Sequence, residues 1–585
     1  MLRINLTRRG FVGAGALAVA GLAACSQNAS TEAADAGAAQ TEDTDNTEEA
    51  AATSAPVVQT AYGPVEGIAV DGVNVFYGVP YGANPTGDLR WQAPQPPEAW
   101  KDNLDCTEPK EAALQLGDDG ATGTEDILNL DIYAPQDADK LPVLVFVHGG
   151  NNQTGNAQEI PGNDLVINDE CVYVSLSYRL GVLGFNPLPS ITSQSDGTGN
   201  YAMLDIAAAL DWIKDNIEAF GGNPDNVTVS GFSAGGRDVM AMLVSPTFAG
   251  KFNKAIAFSG GMTTAELEPS IDKFAAALAP LAVEDGKAED EESAFEWLKG
   301  TDDEVREYLY SIDAKRLAPL MGNAGIRMSV FPHLFCDGVV VPGDGFDGAS
   351  YTSVPLIMLT GSTEFSFFCL FDGFFSGDDF AEMSEDEVNA AKAFANTYGS
   401  DMYRIFNAQC SAEAMADSYD SDIYVCQVNY GGADSAMAAD LAPFGAFHGI
   451  FVPMLSTKNN YAATMEGAFD KAGYKDMAAK FNAYLKAFLA SPDGKMQVDG
   501  EEEWTPWTPD NKVSLVLDAT EDAAVVEVKD VSSSYDEIIE AMNADDSVPD
   551  EVKTLVEQNV TNGRWFSAAQ DEAFGAPDLW EVSFE

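Results

Sequence analysis

The sequence predicts an α/β fold with a large, mostly parallel central sheet flanked by helices. Two runs, Pro142–Val147 and Val172–Tyr178, are almost continuously apolar, which is typical of strands buried on both faces. Apolar residues at helical spacing run from Ala202 to Phe220 and stop at a Gly-Gly pair, and the short strand Val227–Ser230 follows. Strands that alternate with helices indicate a largely parallel sheet.

The other elements extend this pattern in both directions. Short β-type runs between glycine turns in Val57–Pro80 predict an N-terminal antiparallel meander. An acidic stretch at residues 264–321 predicts helical insertions. Further strands are predicted at Lys254–Phe258, Pro355–Thr360 and Ile423–Val428, and an amphipathic helix at Asp470–Leu489.

The first 56 residues are predicted to precede the folded domain. The motif TRRGFV at residues 7–12 resembles a twin-arginine export signal, and the apolar run Val12–Ala24 that follows is short for a transmembrane helix. Cys25 follows Leu-Ala-Ala in a pattern that resembles a bacterial lipobox. This pattern predicts an exported protein attached to the membrane only through a lipid on Cys25. An ordinary signal peptide with a chance cysteine is the alternative.

These features divide the chain into three parts. We assign residues 1–25 to the signal peptide, 26–56 to a disordered acidic tether without aromatic residues, and 57–585 to a single domain with insertions. Six cysteines remain besides Cys25. An exported protein permits disulfides between them, but folding before export in a reducing compartment would leave buried thiols, so no pairing is assigned.

The composition is strongly acidic. The chain has 31 Lys and Arg against 93 Asp and Glu, for a formal charge of −62, which argues against nucleic acid as a partner. The same charge would attract cationic substrates and repel anionic ones, although exposed charges are screened beyond about 8 Å. The sequence has no evident phosphate loop, zinc-ligand spacing or dinucleotide fingerprint, so neither a cofactor nor a metal is predicted.

A G-x-S-x-G motif centred on Ser233 lies between a predicted strand and a predicted helix. This context is that of a nucleophile elbow, a sharp turn that lifts the serine hydroxyl out of the sheet in α/β-hydrolases. The backbone N–H of Ala234 would then stand at a helix N-terminus, where it can stabilise an oxyanion. A glycine-rich loop with an incidental serine is the alternative.

The segment NYAMLDIAAALDWIKDNIEAFGGNPDNVTVSGFSAGG, residues 200–236, resembles the type-B carboxylesterases, the cholinesterase-like branch of the α/β-hydrolases. YGPVEG, FYGVPY, DLRW, EDILNL and the Asp337-Gly338 pair resemble other segments of the family in the same order. The resemblance covers roughly residues 57 to 507. It implies an α/β-hydrolase fold and a serine esterase.

The resemblance also implies an oxyanion loop after the strand Pro142–Val147. His148 is followed by Gly149, Gly150 and Asn151, and the family's pattern places backbone donors at Gly150 and Asn151 beside Ala234. Asn151 departs from the small residue that is usual there, but it keeps a backbone N–H. His148 itself is interpreted as structural.

A serine nucleophile needs a base with a pKa near neutrality, usually imidazole. Of the three histidines, His333 and His448 follow Ser233. His448 lies in GAFHG, which resembles the family's catalytic histidine loop, and is the predicted base. The acid should follow the strand Pro355–Thr360, where Glu364 is the first carboxylate; Asp372 and Asp378 are the alternatives.

Three further features concern departures from the family pattern and the substrate pocket. Phe232 replaces the acidic residue usual beside the nucleophile, which should weaken recognition of a cationic alcohol group. Ile127 stands where the family often has a cysteine, so Cys106 would lack its usual partner. A phenylalanine-rich segment after Glu364 either lines an apolar pocket or forms core under a lid. Its members are Phe365, Phe367, Phe368, Phe371, Phe374 and Phe375.

Together these features predict hydrolysis of small-molecule carboxylic esters through a Ser233–His448–Glu364 triad and an acyl-enzyme intermediate. A non-catalytic, cholinesterase-like adhesion module at the cell surface is the alternative, although such relatives typically lack the serine. The sequence leaves open whether the substrate is an ester, an amide or a thioester, and what the oligomeric state is.

Overall fold

The computed structural model describes residues 55–117, 120–193, 197–322, 324–465, 467–564 and 568–584. The predicted signal peptide, Cys25 and nearly all of the predicted tether lie outside these residues. Sixteen strands are formed in the described ranges. They are β1 (Val57–Gln59), β2 (Pro64–Glu66), β3 (Ile68–Val70), β4 (Val73–Pro80), β5 (Leu104–Asp105), β6 (Gln115–Gly117), β7 (Gly120–Thr122), β8 (Asn129–Pro135), β9 (Leu141–Val147), β10 (Val172–Leu176), β11 (Gly222–Phe232), β12 (Lys254–Phe258), β13 (Leu356–Gly361), β14 (Ile423–Val428), β15 (Val513–Ala519) and β16 (Ala524–Asp530).

Helices connect most of the central strands. The α-helices are Asn163–Asn168, Gly181–Gly184, Pro189–Thr192, Tyr201–Asn216, Ala234–Val244, Leu267–Glu284, Glu291–Leu298, Asp303–Ser311, Ala314–Leu317, Ser366–Leu370, Glu385–Ile405, Ser411–Met415, Val452–Leu455, Asn460–Thr464, Ala472–Ala490, Tyr535–Ala544, Asp550–Val556 and Ala568–Ala573. Short 3₁₀ helices lie at Gly87–Leu89, Ala157–Glu159, Ile217–Phe220, Pro246–Phe248, Gly373–Ser376 and Asp378–Phe380, and π-helical turns at Phe406–Cys410 and Glu557–Thr561.

Eleven strands form one central sheet in the order β3-β4-β8-β10-β9-β11-β12-β13-β14-β15-β16. The seven strands from β10 to β15 in this order pair in parallel, and the strands at both edges pair antiparallel. The predicted α/β fold with a largely parallel sheet is therefore confirmed. The carboxyl ends of β9, β11, β12, β13 and β14 meet at one edge, the usual place for a site in such sheets.

Helices cover both faces of the sheet, which explains why the central strands are apolar on both sides. In β9, Val143, Val145 and Val147 belong to the core on one face, while Leu144 and Phe146 belong to the core on the other. Burying both faces requires an uninterrupted apolar strand, and this is the pattern that the sequence shows.

The N-terminal meander differs from its prediction. β1 and β2 pair antiparallel but belong to a separate three-stranded sheet with β5, whereas β3 and β4 form the edge of the central sheet. The sequence pattern marked the hairpins and not the sheet that each would join, because strand partners are chosen by long-range packing. The strands β8, β15 and β16 and the helices after residue 534 were not predicted.

Among the described residues no disulfide is present. The thiols are those of Cys106, Cys171, Cys336, Cys369, Cys410 and Cys426. Cys106 is fully buried beside an apolar core that includes Ile127. Nor does any helix in the described ranges have the length and apolar character needed to cross a membrane.

Lys254 connects the central sheet to the helix Ala472–Ala490. It is the first residue of β12 and is fully buried. Its Nζ donates to the carbonyl of Leu489 at 2.9 Å, to that of Ser491 at 2.7 Å and to Asn226 Oδ1 at 2.6 Å. The ammonium therefore satisfies carbonyls at the C-terminal end of the helix, where a positive charge is also favoured by the helix dipole.

Replacing Lys254 by methionine should lower the free energy of unfolding by about 2–4 kcal/mol, because buried acceptors lose their donor. Denaturant unfolding measures the change. Lys251→Met is the control: it removes a surface pair with Asp211 and should cost less than about 1 kcal/mol. Equal effects of the two substitutions would contradict the structural role given to Lys254.

Candidate active site

Ser233 occupies a sharp turn between β11 and the helix Ala234–Val244. Its φ of 56° and ψ of −114° are unusual for a residue other than glycine, and strain of this kind concentrates at functional sites. A Cβ on Gly231 would lie 2.2 Å from the carbonyl oxygen of Gly235, and one on Gly235 would lie 2.1 Å from that of Val147. The motif needs glycine at both positions because backbone segments touch there.

The loop after β9 lies directly against Ser233. A Cβ on Gly149 would be 3.2 Å from the Cβ of Ser233. Gly150 and Asn151 both have positive φ, 100° and 57°, a conformation that Asn tolerates better than most residues. The predicted oxyanion donors Gly150, Asn151 and Ala234 thus belong to the two backbone segments that meet at the serine.

Buried polar groups hold this loop in place. The Tyr178 hydroxyl lies 2.9 Å from the His148 carbonyl, and Asn152 Nδ2 donates to Asp238 Oδ1 at 2.9 Å. Arg237 Nη2 donates to Asn151 Oδ1 at 3.1 Å. Burial lowers the pKa of His148 to about 4, which keeps the imidazole neutral at pH 7. The hydrogen bond from Arg237 gives the Asn151 side chain a partner at this position.

Glu364 and His448 meet at the same edge of the sheet. Glu364 follows β13 and is fully buried, and its Oε2 accepts a hydrogen bond from His448 Nδ1 at 2.5 Å. The His448 ring lies 4.8 Å from the ring of Phe232, the residue before the serine. His448 Nε2 makes no hydrogen bond within the described residues, so a bond between it and the Ser233 hydroxyl is not formed in this conformation.

Three residues that hold Glu364 were missed by the sequence analysis. Its Oε1 accepts hydrogen bonds from Ser259 Oγ at 2.6 Å, Thr360 Oγ1 at 3.0 Å and the Gly361 N–H at 2.6 Å. Ser259 directly follows β12, so its position at the end of a buried parallel strand was the available signal. The carboxylate is fixed on one oxygen by these donors and presents the other to His448.

The alternative residues lie elsewhere. His333 is fully buried and stacks on Phe331, with ring centres 5.2 Å apart, and burial lowers its pKa well below its usual value. Asp372 forms an ion pair with Arg564, and Asp378 is exposed in a 3₁₀ turn. The acid brought to His448 is Glu364.

The phenylalanine-rich segment divides into two parts. Phe368 faces the site, with its ring centre 5.1 Å from that of His448, and Phe367 packs on Phe447 at 5.1 Å. Phe374 and Phe375 pack instead on Phe380, at 5.4 and 5.3 Å. The first part borders the site, while the second forms a separate apolar cluster.

No group of three or more His, Cys, Asp or Glu side chains suited to a metal ion occurs in the part of the chain that is described. The site brings together a serine, an imidazole and a carboxylate at the carboxyl edge of a parallel sheet. The fold and this arrangement define an α/β-hydrolase.

Comparison with known families gives the particular class. Residues 54–377, more than half of the chain, match the sequence profile of the carboxylesterase family. The chain belongs to this family.

Individual members of the family are similar to this chain in sequence. The chain is 40 % identical to the para-nitrobenzyl esterase of Bacillus subtilis over 242 residues, which are 40 % of this chain and 49 % of the relative. It is 39 % identical to carboxylesterase 1C of Rattus norvegicus over 37 % of this chain and 43 % of the relative. The chain thus spans less than half the length of these two curated relatives.

The matches to solved structures are longer. The crystal structure of the Geobacillus stearothermophilus carboxylesterase EST55 superposes with a TM-score of 0.62 and 26 % identity, over 81 % of this chain and 98 % of that one. A thermophilic PNB esterase superposes with a TM-score of 0.61 and 25 % identity, over 82 % and 99 %.

Asp238 is a buried carboxyl group that holds the loop beside Ser233 through Asn152. It is 1 % exposed, and burial raises its pKa from about 3.8 to about 7, against opposing effects of the Asn152 hydrogen bond and the Arg237 charge. Between these pH values the Asp238 carboxyl is ionised in the unfolded chain but still protonated in the folded one. Its contribution to the free energy of unfolding therefore falls as the pH rises.

Asp238→Asn should therefore stabilise the protein increasingly from about pH 4 to about pH 7, with a constant difference above that. The amide oxygen can still accept from Asn152. The full change is expected to be on the order of a few kcal/mol in the free energy of unfolding, measured by denaturant unfolding across this range. The exposed Asp215→Asn is the control and should differ from wild type by less than about 0.5 kcal/mol at each pH. A difference for Asp238→Asn that does not change with pH would contradict the assignment.

Proposed function

We propose that the protein is a serine carboxylic ester hydrolase that uses Ser233, His448 and Glu364. The observation that carries this proposal is the buried Glu364–His448 hydrogen bond beside the strained Ser233 turn. The family membership and the names of the relatives, para-nitrobenzyl esterase and carboxylesterase, support small-molecule esters as the substrate class.

In the first step, Ser233 Oγ attacks the ester carbonyl carbon while His448 Nε2 accepts the hydroxyl proton. Because Nδ1 donates to Glu364, Nε2 of the neutral ring is the nitrogen with a free lone pair. The buried carboxylate stabilises the imidazolium that forms. The N–H groups of Gly150, Asn151 and Ala234 hold the oxyanion, each donor being worth about 3–4 kcal/mol.

In the second step, His448 gives its proton to the leaving alkoxide, and the ester C–O bond breaks to leave an acyl group on Ser233. His448 then takes a proton from water, whose oxygen attacks the acyl carbon. The bond between that carbon and Ser233 Oγ breaks, His448 returns the proton to Oγ, and the carboxylic acid is released. Ser259 acts through Glu364 as a positioning residue, because its hydroxyl fixes the oxygen that His448 does not use. No cofactor enters this scheme.

Ser233→Ala should abolish labelling by a fluorophosphonate probe and lower kcat for p-nitrophenyl esters on the order of 10⁴-fold or more. Glu364→Gln should lower kcat by roughly 10²- to 10⁴-fold, because the amide can no longer orient the ring and stabilise the imidazolium together. Mass spectrometry locates the label, and ester turnover gives the rates.

Ser245→Ala is the matched control, since Ser245 is buried at the far end of the helix that follows Ser233; it should label and turn over like wild type. A folded wild-type protein that neither labels nor hydrolyses any ester would refute the proposal. The search would then turn to protein partners, as expected for a non-catalytic adhesion module.

We propose further that the chain is exported and anchored through a lipid on Cys25. The support is the twin-arginine motif followed by Leu-Ala-Ala-Cys and an acidic tether. One acyl chain binds a membrane only weakly, so stable anchoring needs more than one.

Cys25→Ser should move the protein from the membrane fraction to the soluble fraction of cells that express the full chain, and should remove incorporation of labelled fatty acid. Cys106→Ser, at a buried position, is the control and should keep both properties. Equal fractionation of wild type and Cys25→Ser would contradict lipid anchoring.

A further inference from the structure

Four arginines are buried in the part of the chain that the structure describes, and the two least exposed, Arg237 and Arg564, lie close to the candidate site. Arg237 is 0 % exposed and Arg564 is 1 % exposed. Taking a guanidinium out of water is costly unless an anion and hydrogen-bond acceptors surround it. The burial of these two positive charges therefore needs an explanation, although the protein as a whole has a formal charge of −62.

Arg237 places a positive charge beside the predicted oxyanion donors. It is the fourth residue after Ser233 in the chain, and its Nη2 donates to Asn151 Oδ1 at 3.1 Å. Asn151 in turn lies in the loop that touches Ser233. The guanidinium thus borders the place where an ester carbonyl would bind.

Arg564 comes from the C-terminal part of the chain and packs on Phe365, the residue that follows Glu364. Its guanidinium carbon lies 4.8 Å from the ring centre of Phe365, and its Nη2 pairs with Asp372. Arg327 Nη2 lies 3.5 Å from the same carboxylate, so two guanidinium groups share one negative charge. Nε and Nη1 of Arg564 are buried and have no hydrogen-bond partner among the described residues.

Tyr403 borders His448 and lies within range of the charges of both arginines. The Tyr403 ring centre lies 5.7 Å from that of His448, and Phe368 contacts both rings at 5.8 and 5.1 Å. Burial raises the pKa of Tyr403, and the charges of Arg237 and Arg564 oppose this increase. Phe365, on which Arg564 packs, lies 6.0 Å from Phe368 between ring centres, so Arg564 is connected to the site through these two rings.

We propose that the site selects esters that carry a carboxylate within a few bonds of the scissile carbonyl, such as half-esters of short dicarboxylic acids. Such a group would supply the acceptors that Arg564 lacks, and arginine is the side chain best suited to bind a carboxylate in a water-poor site. The inference rests on the proposed esterase function, since the same two-step hydrolysis releases the alcohol and a dicarboxylate.

This preference is opposite to the one that the net charge suggests. The surface charges act weakly beyond about 8 Å in physiological salt, whereas buried charges interact more strongly because the local dielectric constant is low. The buried arginines therefore decide which charge the site accepts.

The test compares monoethyl glutarate with ethyl pentanoate, which have the same acyl length and differ in one terminal carboxylate. Proton release by the purified full-length chain measures kcat/KM. Wild type should prefer the half-ester by about tenfold or more. Arg564→Gln should lower kcat/KM for the half-ester by about 10- to 100-fold and that for ethyl pentanoate by less than about threefold. Arg306→Gln, at a partly exposed arginine on the helix Asp303–Ser311, should leave both values unchanged.

A second measurement needs only the wild-type protein, in case Arg564→Gln fails to fold. Glutarate should inhibit ethyl pentanoate hydrolysis at about tenfold lower concentration than pentanoate does. Hydrolysis of ethyl pentanoate with no preference for the half-ester and no stronger inhibition by glutarate would overturn this inference and leave the esterase intact. Absence of both turnover and fluorophosphonate labelling would instead overturn the esterase proposal, and this inference with it.

Discussion

The buried carboxylate of Glu364 ties together the ends of neighbouring strands, and the rest of the site depends on it. Ser259 follows β12, Gly361 ends β13 and His448 follows β14, and all three donate hydrogen bonds to this one side chain. An isolated carboxylate would be expensive to bury. The directed donors offset that cost and leave the imidazole a single orientation next to Ser233.

The close contact of backbones at the nucleophile turn is the second constraint. The short distances around Gly231 and Gly235 bring β9 and β11 so near that the loop after β9 reaches Ser233. The Ser233 dihedrals and the positive φ of Gly150 and Asn151 follow from this geometry. The buried side chains of Arg237 and Asp238 contact that loop through Asn151 and Asn152, so two ionisable groups help to fix its position.

Much of the fold could be predicted from the sequence because both-face burial forces long apolar runs, and these marked β9, β10 and β12 to β14 nearly to the residue. The elbow motif likewise marked Ser233, because only glycine fits on either side. The division of β1 to β4 between two sheets was not predictable in this way. Short strands near an edge have partners chosen by packing that no local pattern records.

The sequence by itself determined the fold class and the serine turn and indicated His448 as the base, because each sits in a local pattern with its own physical reason. Only the tertiary structure decided that Glu364, rather than Asp372, reaches His448, and that Ser259 anchors it. It also decided that Arg564, more than 300 residues after Ser233 in the chain, lies behind the site. Contacts of that separation arise from how the chain packs, and nothing in the neighbouring residues specifies them.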